Sequence, residues 1–116
     1  MALLPEFFEG VTGFEWDTGN AEKIQARHDV SPAECEQVFL NRPVLVAGDV
    51  RHSGGEARYF AWGITDQARR LAVAFTVRGP RVRVISARPM SRGERRWYAA
   101  AAEAREAAQG SSDVPD

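Results

Sequence analysis

Apolar residues recur along the chain in two rhythms, and the change from one to the other near Pro43 separates a helical stretch from a strand-forming one. Residues 1–13 follow neither, because Pro5, Gly10 and Gly13 interrupt any period. Phe14-Glu15-Trp16 alternates and predicts a short strand ending at Asp17. Asp17 or Thr18 then caps a first helix to about Arg27, with Ala21 and Ile24 turned inward. Ser31-Pro32-Ala33-Glu34 joins a cap serine, a proline at the first helical position and a glutamate three residues after the cap. It predicts a second helix to about Leu40 that buries Cys35, Val38 and Phe39.

Beyond Asn41-Arg42-Pro43 the period falls to two. Strands are expected at Val44–Val50, at Arg58–Thr65 with Phe60, Trp62 and Ile64 on one side, and at Leu71–Val77 with Leu71, Val73 and Phe75 on one side. A fourth runs from Arg81 to Ser86, where charged and branched apolar residues alternate. A glycine-bearing loop occupies Arg51–Ala57, and the connections at 66–70 and 78–80 are short enough for antiparallel hairpins. Ser91 and Glu94 form a second capping box, opening an alanine-rich helix to about Ala108. The expected fold is α+β: a short N-terminal strand, two helices packed on a four-stranded antiparallel meander, and a C-terminal helix. One domain over residues 1–110 is expected, with a disordered tail at 111–116.

At 116 residues, 44% hydrophobic and 27% charged, the chain suits a single globular domain and excludes a fibrous or largely disordered protein. Cys35, the lone cysteine, has no internal disulfide partner, and no histidine or cysteine pair has zinc-ligand spacing. The N-terminus lacks the basic start and apolar run of a secretion signal, and no segment approaches a membrane span, so a cytoplasmic protein without membrane contact is expected. Phosphate-loop, dinucleotide and nucleophile-elbow motifs are missing, so neither a cofactor nor a metal is expected.

Charge changes the picture more than composition does. Residues 51–98 carry eleven arginines against three acids, whereas residues 1–50 carry nine acids against three basic groups. A local basic face attracts phosphates even when net charge is near zero, and the guanidinium fork suits bidentate phosphate contact. Six of those arginines, Arg81, Arg83, Arg88, Arg92, Arg95 and Arg96, surround the strand-to-helix junction, where backbone amides also point outward. Candidates for acid-base work are His28, Tyr59 and Tyr98, with Asp17 further off. His28 stands at an expected helix C-terminus, where the helix dipole favours a cation, although taken alone a capping role is the better explanation of it. Glu94 is accounted for by its capping box. Trp16, Trp62 and Trp97 could stack on bases, but large aromatics at these spacings are more often core.

Taken in order, Phe14-Glu15-Trp16-Asp17, Arg27-His28 with Val30-Ser31, Val38-Phe39, Arg58-Tyr59 with Gly63, Arg83–Arg88, and Glu94-Arg95-Arg96 with Tyr98 resemble the BrnT family of bacterial toxins. The resemblance implies a RelE-like fold and a ribonuclease that arrests translation. It also implies a BrnA antitoxin, whose ribbon-helix-helix part would carry promoter binding, so that DNA is contacted only indirectly. Family members usually have lysine at the position of Asn20, asparagine at that of Ile24 and glycine at that of Asp29.

The reading that follows is a metal-independent endoribonuclease. Arg58, Arg83 and Arg88 are the expected phosphate ligands, His28 or Tyr98 the proton donor, and Arg78, Arg81, Arg92, Arg95 and Arg96 the contacts to flanking RNA backbone. The alternatives are a non-catalytic module that binds RNA or protein through the same face, and a purely structural partner of an acidic protein.

Overall fold

The computed structural model describes residues 10–48 and 56–112, with side chains as far as Arg105. The expectations for residues 1–9, for most of the 51–57 loop and for the last four residues of the tail lie outside the described residues. Within them the order is β1 (Gly13–Glu15), α1 (Thr18–His28), α2 (Pro32–Leu40), β2 (Leu45–Gly48), β3 (Tyr59–Ile64), β4 (Arg70–Arg78), β5 (Arg81–Pro89) and α3 (Arg92–Ser112). The α3 backbone runs two residues into the expected tail.

Local chemistry places the helices. Asp17 caps α1 by accepting from the Asn20 amide at 3.0 Å, while Asn20 Oδ1 accepts from the Asp17 amide at 2.8 Å. Ser31 and Glu34 make the reciprocal pair at α2, as Ser91 and Glu94 do at α3. Each box satisfies two amides that a helix start leaves without partners. Asp29 ends α1 in the left-handed conformation, with φ 55° and ψ 46°, and its amide donates to the Gln25 carbonyl. An aspartate tolerates this geometry better than most residues, so glycine is not required at this position.

The sheet is α+β in setting but mixed in direction. Its order is β1-β5-β4-β3-β2: the four later strands pair antiparallel in succession, and β1 joins the outside of β5 in parallel. The sheet is therefore five-stranded, because the expected short N-terminal strand is one of its members. Helices α1 and α2 cover one face, meeting Ala61, Leu71, Val73, Phe75, Val82, Val84 and Ala87. Phe75 is fully buried there and meets Phe39 edge to face at 5.0 Å, a burial contributing about 2–3 kcal/mol. Gly63 is needed for the closeness of α2, since a Cβ there would lie 2.8 Å from Val38 Cγ1 and 3.0 Å from the Val38 carbonyl oxygen. The large residues of β3, Phe60 and Trp62, point to the opposite face. There Leu45, Met90 and Tyr98 form a second, smaller cluster with Trp62 and Ala101.

A register shift in the β4-β5 pairing changes what β5 presents. Val84 lies opposite Phe75 and Ser86 opposite Ala74, which leaves Ile85 as an extra residue in β5. Arg83, opposite Thr76, and Arg88, opposite Ala72, consequently share the face that α1 and α2 leave open. Strict alternation would have set them on opposite faces.

Candidate active site

β1 pairs with β5 only as far as Arg83, so the outer edge of β5 beyond that point faces α1 instead of another strand. Asn20, buried on α1, closes part of this gap: its Nδ2 donates to the carbonyls of Glu15 and Val84, each at 3.2 Å. Past Asn20 the two elements diverge around a cleft of about 130 Å³. It is lined by Lys23, Ile24, Arg27 and His28 from α1 and by Ile85, Ser86, Ala87 and Arg88 from β5.

Lys23 and Arg27 stand four residues apart, as do Ile24 and His28, and neighbours at that spacing bring both pairs to the part of α1 that lines the cleft. Ile24, a core residue, forms the apolar floor. The bulge at Ile85 and the free edge bring in Arg88. Four nitrogen-bearing side chains thus line one small cleft, and no carboxylate among the described residues lines it. Such a lining suits a phosphodiester and repels a free metal cation.

Arg88 is held from the other side by Glu94. Nη1 donates to Oε1 at 2.6 Å and Nη2 to Oε2 at 3.0 Å, while Oε2 also accepts from Trp62 Nε1 at 3.0 Å. The Arg88 hydrogen bonds, with those from Ser91 and Trp62, hold the Glu94 carboxyl down at about 2, and the same partnership raises the pKa of Arg88 further. The capping glutamate of α3 is therefore also the residue that orients Arg88.

The remaining expected site residues do not line this cleft. Arg83 bonds Glu15 and Asp17, each at 3.0 Å, fastening β1 and the α1 cap to β5. Arg78 pairs with Glu56 at 2.7 Å and reaches Glu15 at 3.4 Å. Tyr98 is only 4% exposed, and its hydroxyl donates to the Pro43 carbonyl at 2.5 Å in the second cluster. Burial pushes its pKa up, so its proton is committed to the fold. Arg95 donates to the Met90 carbonyl at 3.0 Å. Arg58, Arg81, Arg92 and Arg96 have no carboxylate partner among the described residues. Lys23 and Arg27 are the basic members of the cleft that sequence reasoning did not select; their four-residue spacing on the helix that carries His28 was the available signal.

No curated protein matches the chain. Residues 16–94 match the family described as "Ribonuclease toxin, BrnT, of type II toxin-antitoxin system". That stretch is more than half of the chain and contains the α1-β5 cleft, Arg88 and the Glu94 that holds it, and the chain belongs to that family.

Proposed function

We propose that the protein is a metal-independent endoribonuclease whose chemistry takes place in the cleft between α1 and β5, and that it arrests translation. The observation that carries this reading is the convergence of His28 and Arg88, far apart in sequence, with Lys23 and Arg27 in one cleft that no carboxylate of the described residues lines. The ribose 2′-oxygen attacks the adjacent phosphorus as its proton passes to solvent water. The 5′-oxygen leaves with the bonding pair, and a 2′,3′-cyclic phosphate remains. Arg88, Arg27 and Lys23 stabilise the negative charge that grows on the phosphoryl oxygens, commonly the largest contribution to catalysis. His28 protonates the departing 5′-oxygen. It is preferred over Tyr98, whose hydroxyl is buried and already donating.

The four-stranded antiparallel succession with helices on one face supports a RelE-like arrangement, to which β1 adds a parallel edge. The arginines without carboxylate partners, Arg58, Arg81, Arg92 and Arg96, are placed in this reading against flanking RNA backbone. A toxin-antitoxin family implies an antitoxin partner as well as an RNA substrate. A BrnA-like ribbon-helix-helix antitoxin would neutralise the toxin by covering the arginine-bearing junction of β5 and α3, with promoter DNA bound through the antitoxin alone. No helix among the described residues is long and apolar enough to cross a membrane.

Expression of the protein alone in bacteria tests the reading. Growth and protein synthesis should fall, and Arg88→Ala should relieve both at equal soluble level.

A further inference from the structure

The open face of the sheet carries a feature that cleavage chemistry does not use. Trp97, on the second turn of α3, is 47% exposed despite its size. It meets Trp62 at 5.0 Å with the ring planes 77° apart, and Trp62 in turn stacks on Phe60 at 5.6 Å. Trp62, Gly93, Glu94 and Trp97 line an open apolar shelf of about 330 Å³, and a Cβ at Gly93 would meet nothing within 4 Å.

The surroundings identify an occupant. Arg92 and Arg96 are exposed on the same helix, one residue before Gly93 and Trp97 respectively, and neither has a carboxylate partner among the described residues. The one acid on the shelf, Glu94, is already matched by Arg88 and by the Ser91 amide. Arg88 itself lines the cleft on its other side. Shelf and cleft are therefore joined through a single arginine-glutamate pair. Aromatic faces flanked on the same helix by exposed arginines that lack a carboxylate partner among the described residues fit a single-stranded polyanion whose units have flat faces. An apolar protein segment would gain from the tryptophans but not from the cations.

We propose that the Trp62–Trp97 shelf is the subsite for an unpaired nucleobase of the RNA, next to the phosphate held in the cleft. The proposal rests on the ribonuclease reading above and adds that the substrate is single-stranded at this position. Stacking is indifferent to base identity, so the shelf selects unpaired RNA without selecting its sequence.

The test uses a 2′-O-methyl single-stranded oligonucleotide, which cannot be cleaved, and the same oligonucleotide made abasic throughout. Trp97→Ala should weaken binding of the first by about tenfold and leave binding of the second unchanged, with the salt dependence of both preserved. Trp97→Tyr should bind nearly as wild type. Gly93→Leu, which puts a side chain across the shelf while improving helix propensity, should lose affinity as Trp97→Ala does. Thermal unfolding of each variant shows whether the fold is retained. Equal behaviour of the two oligonucleotides, or no loss in Trp97→Ala and Gly93→Leu, would overturn the proposal. If wild type cleaves RNA while those variants bind normally, the shelf alone is wrong. If wild type neither binds nor cleaves RNA, the ribonuclease reading fails with it. Loss of affinity only for a co-expressed protein partner would make the shelf a protein-docking surface and refute the base subsite.

Discussion

Arg88 and Glu94 face each other through two hydrogen bonds, of 2.6 and 3.0 Å, across the junction of β5 and α3. The bidentate pairing fixes both the position and the plane of the guanidinium, which a single contact would leave free to rotate. Arg88→Ala is expected to lower RNA cleavage by about 100-fold, the scale of removing one donor from a preorganised anion site. Arg88→Lys should recover little, because an ammonium cannot span both Glu94 oxygens and a phosphate oxygen together. Rates measured on purified variants with matched unfolding temperatures check both; wild-type cleavage by Arg88→Ala would remove Arg88 from the chemistry.

The two donors weighed from sequence have opposite structural situations, and that difference is measurable. His28→Ala removes an exposed side chain at the mouth of the cleft and is expected to cut cleavage by about 100-fold or more with little loss of stability. Tyr98→Phe leaves the Pro43 carbonyl without its donor and is expected to cost about 1 kcal/mol of stability with cleavage intact. Urea unfolding and cleavage rates on both variants separate the roles.

The helices and their ends were legible because their signals are local. Ser31 with Glu34 and Ser91 with Glu94 lie three residues apart, and each pair forms the box its spacing implies. What escaped the sequence depends on distant partners. β1 lies against β5 through pairs such as Glu15 and Arg83, 68 residues apart, and three residues of alternation do not say which edge they join. The bulge at Ile85 shifts the faces of β5 in the middle of a run that reads as regular. The arginines were found as a cluster, but local sequence did not reveal that Arg83 and Arg78 are bound by Glu15, Asp17 and Glu56. The same holds for Asn20, whose structural use is visible only once Val84 is beside it.

Asn20 should accordingly be a stability residue. It joins the α1 cap, the Glu15 carbonyl and the Val84 carbonyl through four hydrogen bonds while buried. Asn20→Ala keeps the bond from its backbone amide to Asp17 but removes the three made by the side chain, to the Asp17 amide and to the Glu15 and Val84 carbonyls, and is expected to cost about 2–3 kcal/mol. Denaturant unfolding gives the value, and a loss below about 0.5 kcal/mol, the usual scale of surface substitutions, would show that the network is not needed.

Acid should weaken the fold through a small set of carboxylates. Hydrogen bonds from Arg88 hold Glu94 at about 2, against an ordinary value of 4.5. Burial pushes Glu34 upward, but the Ser31 amide and Arg69 outweigh it and leave its pKa lowered. The Asn20 amide and Arg83 lower that of Asp17. Folded values below unfolded ones mean that this stability is present at neutral pH and is lost as pH falls from 4.5 towards about 2. Urea midpoints across that window should decline, and Glu94→Gln should flatten part of the decline. An unchanged slope in that variant would show that the Arg88 pair contributes nothing to stability.

The most direct measurement of the central claim is the chemistry of the cut ends when purified protein cleaves single-stranded RNA in the presence of a chelator. The α1-β5 cleft as active site requires 5′-hydroxyl and 2′,3′-cyclic phosphate ends, no cut where the 2′-oxygen is methylated, and a loss of about 100-fold or more in both His28→Ala and Arg88→Ala. Ends bearing 5′-phosphate, or undiminished cleavage by both folded variants, would contradict it.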